Sequence, residues 1–192
     1  EAVITPDGMF ENCKNLKEIA FSTNFKYTGK NMFNGCSNLE HIYGPSVSTD
    51  EYGNPEYSTL GFVHVGDSFA YNCQKLKTCL LSPTTKYIGK NAFYNCKALE
   101  VFQVPNSPEA EIVYDVTTSA FSKCPNISFN GAAYGSVSTA KYQVKDGACY
   151  ELKDDGTAVL IHMGKDTLMS QIPNDRTIYA CAYSMENRQE DS

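Results

Sequence analysis

An aromatic residue, a cysteine three positions on and a leucine or isoleucine three further recur along this chain, and no other feature restricts its fold as strongly. The columns are plainest in Ala92-Phe93-Tyr94-Asn95-Cys96-Lys97-Ala98-Leu99. They return around Met9-Phe10, Cys13, Leu16 and Ile19, around Met32-Phe33, Cys36, Leu39 and Ile42, and around Ala120-Phe121, Cys124 and Ile127. A fifth copy, Phe69-Ala70 with Cys73 and Leu76, exchanges the small and aromatic residues. Successive cysteines lie 23, 37, 23 and 28 residues apart, which makes a unit of about 23 residues carrying two insertions. So short a unit cannot bury its apolar side alone, and its copies must stack into a solenoid.

Each copy predicts a short strand after its turn. In the first, residues 17–21 should alternate, with Leu16, Ile19 and Phe21 inward and Glu18 and Ala20 outward. The expected fold is an α/β-type repeat solenoid of the leucine-rich kind, with stacked short strands forming one curved sheet and irregular or short helical turns on the other side. Glycine stands seven residues before three of the cysteines, at Gly29, Gly66 and Gly89, which calls for a positive φ or a close backbone approach. Cysteines sharing one column belong in the core as small hydrophobes. Free buried thiols are therefore expected, against the pairing usual in extracellular chains. With no C-x-x-C and no histidine at ligand spacing, a zinc site has no support.

Residues 1–130 hold about five such repeats, with insertions near 48–60 and 106–111, both expected as loops rich in turn residues. Residues 131–192 add a β-hairpin unit and a degenerate last repeat, packed on the rest as one array. Tyr142-Gln143-Val144 and Cys149-Tyr150-Glu151-Leu152 read as strands around the turn Lys145-Asp146-Gly147, and residues 158–163 follow after Asp155-Gly156. Ala182-Tyr183 matches the small and aromatic pair again, which puts Glu186 in the cysteine column. The chain opens on Glu1 without a signal peptide, as expected of a processed chain whose targeting segment is missing.

A net charge of −6, with lysines and arginines scattered, makes nucleic acid an unexpected partner. Apolar runs such as residues 158–161 are too short for membrane insertion. His41, His64 and His162 lie in different units outside any H-E-x-x-H or G-x-S-x-G context, so neither catalytic residues nor a metal or cofactor site are expected. His162 reads as a packed or outward-facing strand residue. Binding has a geometric basis instead. Outward residues of successive strands should form rows, Glu18, His41, Thr78 and Val101 in one, Ala20, Tyr43, Leu80 and Gln103 in the next. Tyr52 and Tyr57 in the first insertion offer further contact area. The alternative is a structural spacer or stalk that displays another domain.

The pattern Ile88-Gly89-x-x-Ala92-Phe93-x-x-Cys96-x-x-Leu99, with Pro105 after the strand, resembles the BspA-like class of leucine-rich repeats. Residues 142–160, with Asp146-Gly147 and Asp154-Asp155-Gly156, resemble the hairpin unit that interrupts those arrays. Phe69-Ala70, Cys149, Tyr183 and Glu186 depart from the pattern. Membership implies a solenoid, extracellular or on the cell surface, associated with adhesion; the chain is expected to be a monomer. Its implied partner is a surface or matrix protein, or a glycan, of a host or neighbouring cell.

Overall fold

In the computed structural model, which describes residues 1–191, the chain winds through short strands joined by tight turns. In order they are Val3–Ile4 (β1), Glu18–Ala20 (β2), Phe25–Tyr27 (β3), His41–Tyr43 (β4), Ser46–Thr49 (β5), Pro55–Tyr57 (β6), His64–Val65 (β7) and Thr78–Cys79 (β8). Then come Tyr87–Ile88 (β9), Val101–Gln103 (β10), Glu111–Ile112 (β11), Ser128–Asn130 (β12), Tyr142–Lys145 (β13), Ala148–Leu152 (β14), Ala158–His162 (β15) and Ile178–Ala180 (β16). The only helical element among the described residues is a single 3-10 turn, Met169–Gln171.

Alternate strands fall on two walls, and successive turns pair in parallel. The front wall is β2-β4-β8, followed after a break by β10-β12. The back wall, β1-β3-β7-β9-β11, makes the side opposite the expected sheet a second narrow sheet rather than turns alone. Each unit has only two or three strand residues there, and in three of them, β3, β7 and β9, a glycine follows within two residues.

The cysteine turns close the third side. Each carries a left-handed residue just before its cysteine, at Asn12, Gly35, Asn72, Asn95 and Lys123, with φ between 58° and 77°. A second left-handed column, Gly8, Asn31, Ser68 and Asn91, lies four residues earlier. Asparagine and glycine tolerate this region best, which explains their recurrence there. Gly29, Gly66 and Gly89 serve the other purpose foreseen for them, close approach. A Cβ on Gly29 would lie 2.6 Å from the Pro6 backbone, and one on Gly66 would strike the Gly29 carbonyl.

Inside runs a spine of rings: Phe10, Phe33, Phe69, Phe93 and Phe121, with neighbouring centroids 5.3 to 5.9 Å apart. Phe69 keeps its place in the spine from one position earlier. Beside it run the cysteines. Four of the five thiols in the column donate to a carbonyl of the preceding turn: Cys36 to Phe10 at 2.9 Å, Cys73 to Phe33 at 3.0 Å, Cys96 to Ala70 at 3.1 Å and Cys124 to Phe93 at 3.0 Å. Free thiols are thus what the column contains. Seven of the eight are buried, and Cys13, expected in the core, is exposed in the first turn.

One continuous apolar core extends from Phe21 to Ile161 and includes Tyr142, Cys149 and Val159 of the hairpin unit. That unit forms as expected, with β13, β14 and β15 antiparallel and a two-residue turn at Asp146-Gly147, both at positive φ. β16 then returns parallel to β15. The last turn, residues 181–187, copies the cysteine turn two residues out of step with the side-chain match. Tyr183 is its left-handed residue, at φ 63°, so buried Ser184 occupies the cysteine column and Glu186 is free for another task. Glu186 Oε1 accepts the Cys124 N–H at 2.8 Å, and Asn187 donates to the Cys124 carbonyl at 3.0 Å, so the turn seals the exposed backbone of the last repeat.

Candidate functional site

The front wall carries the expected rows as far as β8. Glu18 lies opposite His41 and His41 opposite Thr78; Ala20 lies opposite Tyr43, and the Leu80 N–H donates to the Ile42 carbonyl at 3.2 Å. Val101 and Gln103 do not join them. β10 pairs only with β12, and the four-membered rows stop one strand short.

The first insertion causes the break. Rather than a loop, it is a hairpin, β5 against β6, and beyond it Leu60 bridges Leu81 while its N–H donates to the Leu80 carbonyl at 2.7 Å. Leu81 turns its own N–H back to the Cys79 carbonyl at 2.9 Å. The end of β8 is thereby drawn away from β10. The two strands meet again only at the margins, where Glu100 donates to the Lys77 carbonyl at 3.3 Å and Asn106 to the Pro83 carbonyl at 2.9 Å. Among the described residues, no hydrogen bond joins 78–82 to 101–105 in between.

A slit of about 400 Å3 results, with Thr78, Leu80, Val101 and Gln103 on its walls and Thr59 and Asn130 at its rim. Four of the nine residues singled out from the sequence are brought together here. Strand alternation decides what backbone they offer. Thr78 and Leu80 direct their N–H groups to β4, and Phe102 pairs with β12, so Cys79 on one wall and Val101 and Gln103 on the other face the opening. Cys79 is 2% exposed, and polar backbone at such depth needs a partner.

Beside the slit stands a stack of three rings. His41 and Tyr43 are parallel at 5.4 Å, and Tyr57 of β6 lies flat on Tyr43 at 4.0 Å and 3°. The hairpin is thus docked on the sheet, with Tyr57 against Tyr43. Burial, followed by Glu18, Tyr57 and Glu40, pushes the Tyr43 hydroxyl above its ordinary pKa, so it stays protonated at neutral pH. Tyr52 does not join; it sits at the hairpin tip, 81% exposed. Glu18 is exposed at the far edge.

Thr59, Pro83, Glu100 and Asn130 were not singled out from the sequence. Pro83 and Pro105, one after each strand, are the available signal, since proline cannot donate to a ladder. His162 is buried away from this face, its Nε2 3.0 Å from Glu186 Oε1 and its Nδ1 2.8 Å from the Met163 carbonyl. It ties β15 to the last turn.

The profile of the family described as BspA type leucine rich repeat region matches residues 5–128 in six copies. Among solved structures, a leucine-rich repeat protein from Bacteroides ovatus ATCC 8483 aligns with a TM-score of 0.43 and 20% identity, over 69% of this chain and 33% of that one. A leucine rich cell surface protein from Faecalibacterium prausnitzii A2-165 aligns with a TM-score of 0.44 and 17% identity, over 91% of this chain and 54% of that one. This chain therefore spans about a third and about half of their lengths. No curated protein matches it.

Proposed function

Because the chain belongs to the BspA-type leucine-rich repeat family, we propose that it is a non-catalytic adhesive module, extracellular or at the cell surface. It holds a surface or matrix protein, or a glycan, of a host or neighbouring cell on its front wall. The observation that carries this reading is the slit with unpaired backbone groups beside a rigid stack of rings. Stacked rings lose little freedom on binding, and a concave opening with a few converging polar groups is what a ligand site requires. A spacer would have no use for a hairpin that opens the sheet it is docked on.

The thiols argue against nucleophilic catalysis. Burial raises the pKa of Cys36 to about 11 and pushes Cys73, Cys79, Cys96 and Cys124 higher still, which keeps them as unreactive thiols.

Binding of the purified chain to immobilised matrix proteins, mucins and glycans tests the reading, with Tyr43→Ala/Gln103→Ala on the front wall and Tyr27→Ala on the back wall as variants. Saturable binding lost only in the front-wall variant is expected. Absence of binding across the panel would favour the spacer, and equal binding by all three proteins would put the binding surface away from the front wall.

A further inference from the structure

We infer that the slit between β8 and β10 receives the acetamido group of an N-acetylhexosamine in a glycan; this rests on the binding reading above and names the ligand class for the same opening. In a closed parallel ladder Cys79 N–H would donate to the Val101 carbonyl and Gln103 N–H to the Cys79 carbonyl. Neither bond forms, and the Cys79 carbonyl is taken by Leu81. Three donors, the Cys79, Val101 and Gln103 N–H groups, are left facing two acceptors, the Val101 and Gln103 carbonyls.

A secondary amide supplies the complement. Its carbonyl accepts from Cys79 or Gln103, and its N–H donates to Val101, so one planar group replaces the missing rung of the ladder. The methyl group that follows has Leu80 and Leu81 to lie against. Hydroxyl and amide side chains at the mouth, Thr59, Thr78, Gln103 and Asn130, suit ring hydroxyls, and the only charges are Lys77 and Glu100 together at one end.

The closure of the slit decides between ligand classes. Bonds at Lys77–Glu100 and at Pro83–Asn106 shut both ends, so an extended peptide cannot thread through, whereas a short pendant group can enter. Tyr43 and Tyr57 cover each other's faces at 4.0 Å, so that pair offers no open platform between its rings for a sugar. Recognition falls on the pendant amide rather than on the ring.

Amide correlation spectra of the 15N-labelled chain test this by titration with N,N′-diacetylchitobiose, with its de-N-acetylated form, and with a glutamine-containing tripeptide. The expected result is shifts at Cys79, Val101 and Gln103 with the acetylated sugar, binding about tenfold weaker without the acetyl group, and loss of the shifts in Leu80→Arg, whose spectrum remains dispersed. Equal binding of both sugars, shifts with the peptide alone, or no shifts with the acetylated sugar would each overturn the inference. The two readings fail separately. If Leu80→Arg abolishes binding to a panel surface while the acetylated sugar leaves the spectrum unchanged, adhesion through the slit stands and the acetamido assignment falls; if panel binding survives Leu80→Arg, both fall.

Discussion

At the residue scale, cysteine suits its column because it is small, apolar and able to donate. Its thiol reaches the carbonyl of the turn before, which no leucine could do, while filling the space beside the phenylalanine spine. Cys96→Asp places an unpaired charge in that fully buried position, and a loss of several kcal/mol, about 3 or more, is expected by thermal or denaturant melting; an unchanged midpoint would show that the column is not core. Reactivity follows burial. At neutral pH an aromatic disulfide reagent should modify Cys13 alone in the native protein and all eight thiols after unfolding. Stability should follow pH in the same sense. A thiol pKa raised by folding contributes stability that is complete below the unfolded value, near 9, and is lost as pH rises toward the folded values. Denaturant midpoints should therefore hold steady near neutrality and decline above about pH 9.

Among the elements, those built from repeated side chains were legible and those built from their interruptions were not. The strand after each cysteine turn, the inward column of Ile19, Ile42, Cys79 and Phe102, and the hairpin at Asp146-Gly147 all follow from periodicity and turn chemistry. The back-wall strands were missed because two residues carry no period. The slit was missed for a different reason: it arises from Leu60, an insertion residue, bridging Leu81, and a contact between an insertion and a repeat leaves no trace in the repeat pattern. The last turn slipped by two residues because its side chains keep the small and aromatic pair while its backbone places the left-handed residue at Tyr183. Two substitutions probe these elements. Tyr57→Ala removes the ring that docks the hairpin on Tyr43 and should cost about 1 kcal/mol, with faster amide exchange confined to residues 46–57. Glu186→Ala strands the Cys124 N–H and the His162 ring, and a loss of about 1–3 kcal/mol is expected by denaturant melting.

At the scale of the whole molecule, the two walls and the turns enclose one core that passes without interruption into the hairpin unit. Stacked repeats exchange stability only with their neighbours, so the break between β8 and β10 has to be held from elsewhere. The phenylalanine spine holds it, since Phe69 and Phe93 remain 5.8 Å apart behind the opening. A front wall can thus open without dividing the array, and that open rung is the central claim. Hydrogen exchange of the free chain, resolved to single amides, tests it most directly. The Cys79, Val101 and Gln103 amides should exchange well ahead of their ladder-bonded neighbours Thr78, Leu80 and Phe102, and become protected when a bound surface or glycan fills the slit. Equal, slow exchange at all six positions in the free chain would mean that the ladder is closed and that the front wall has no slit to offer.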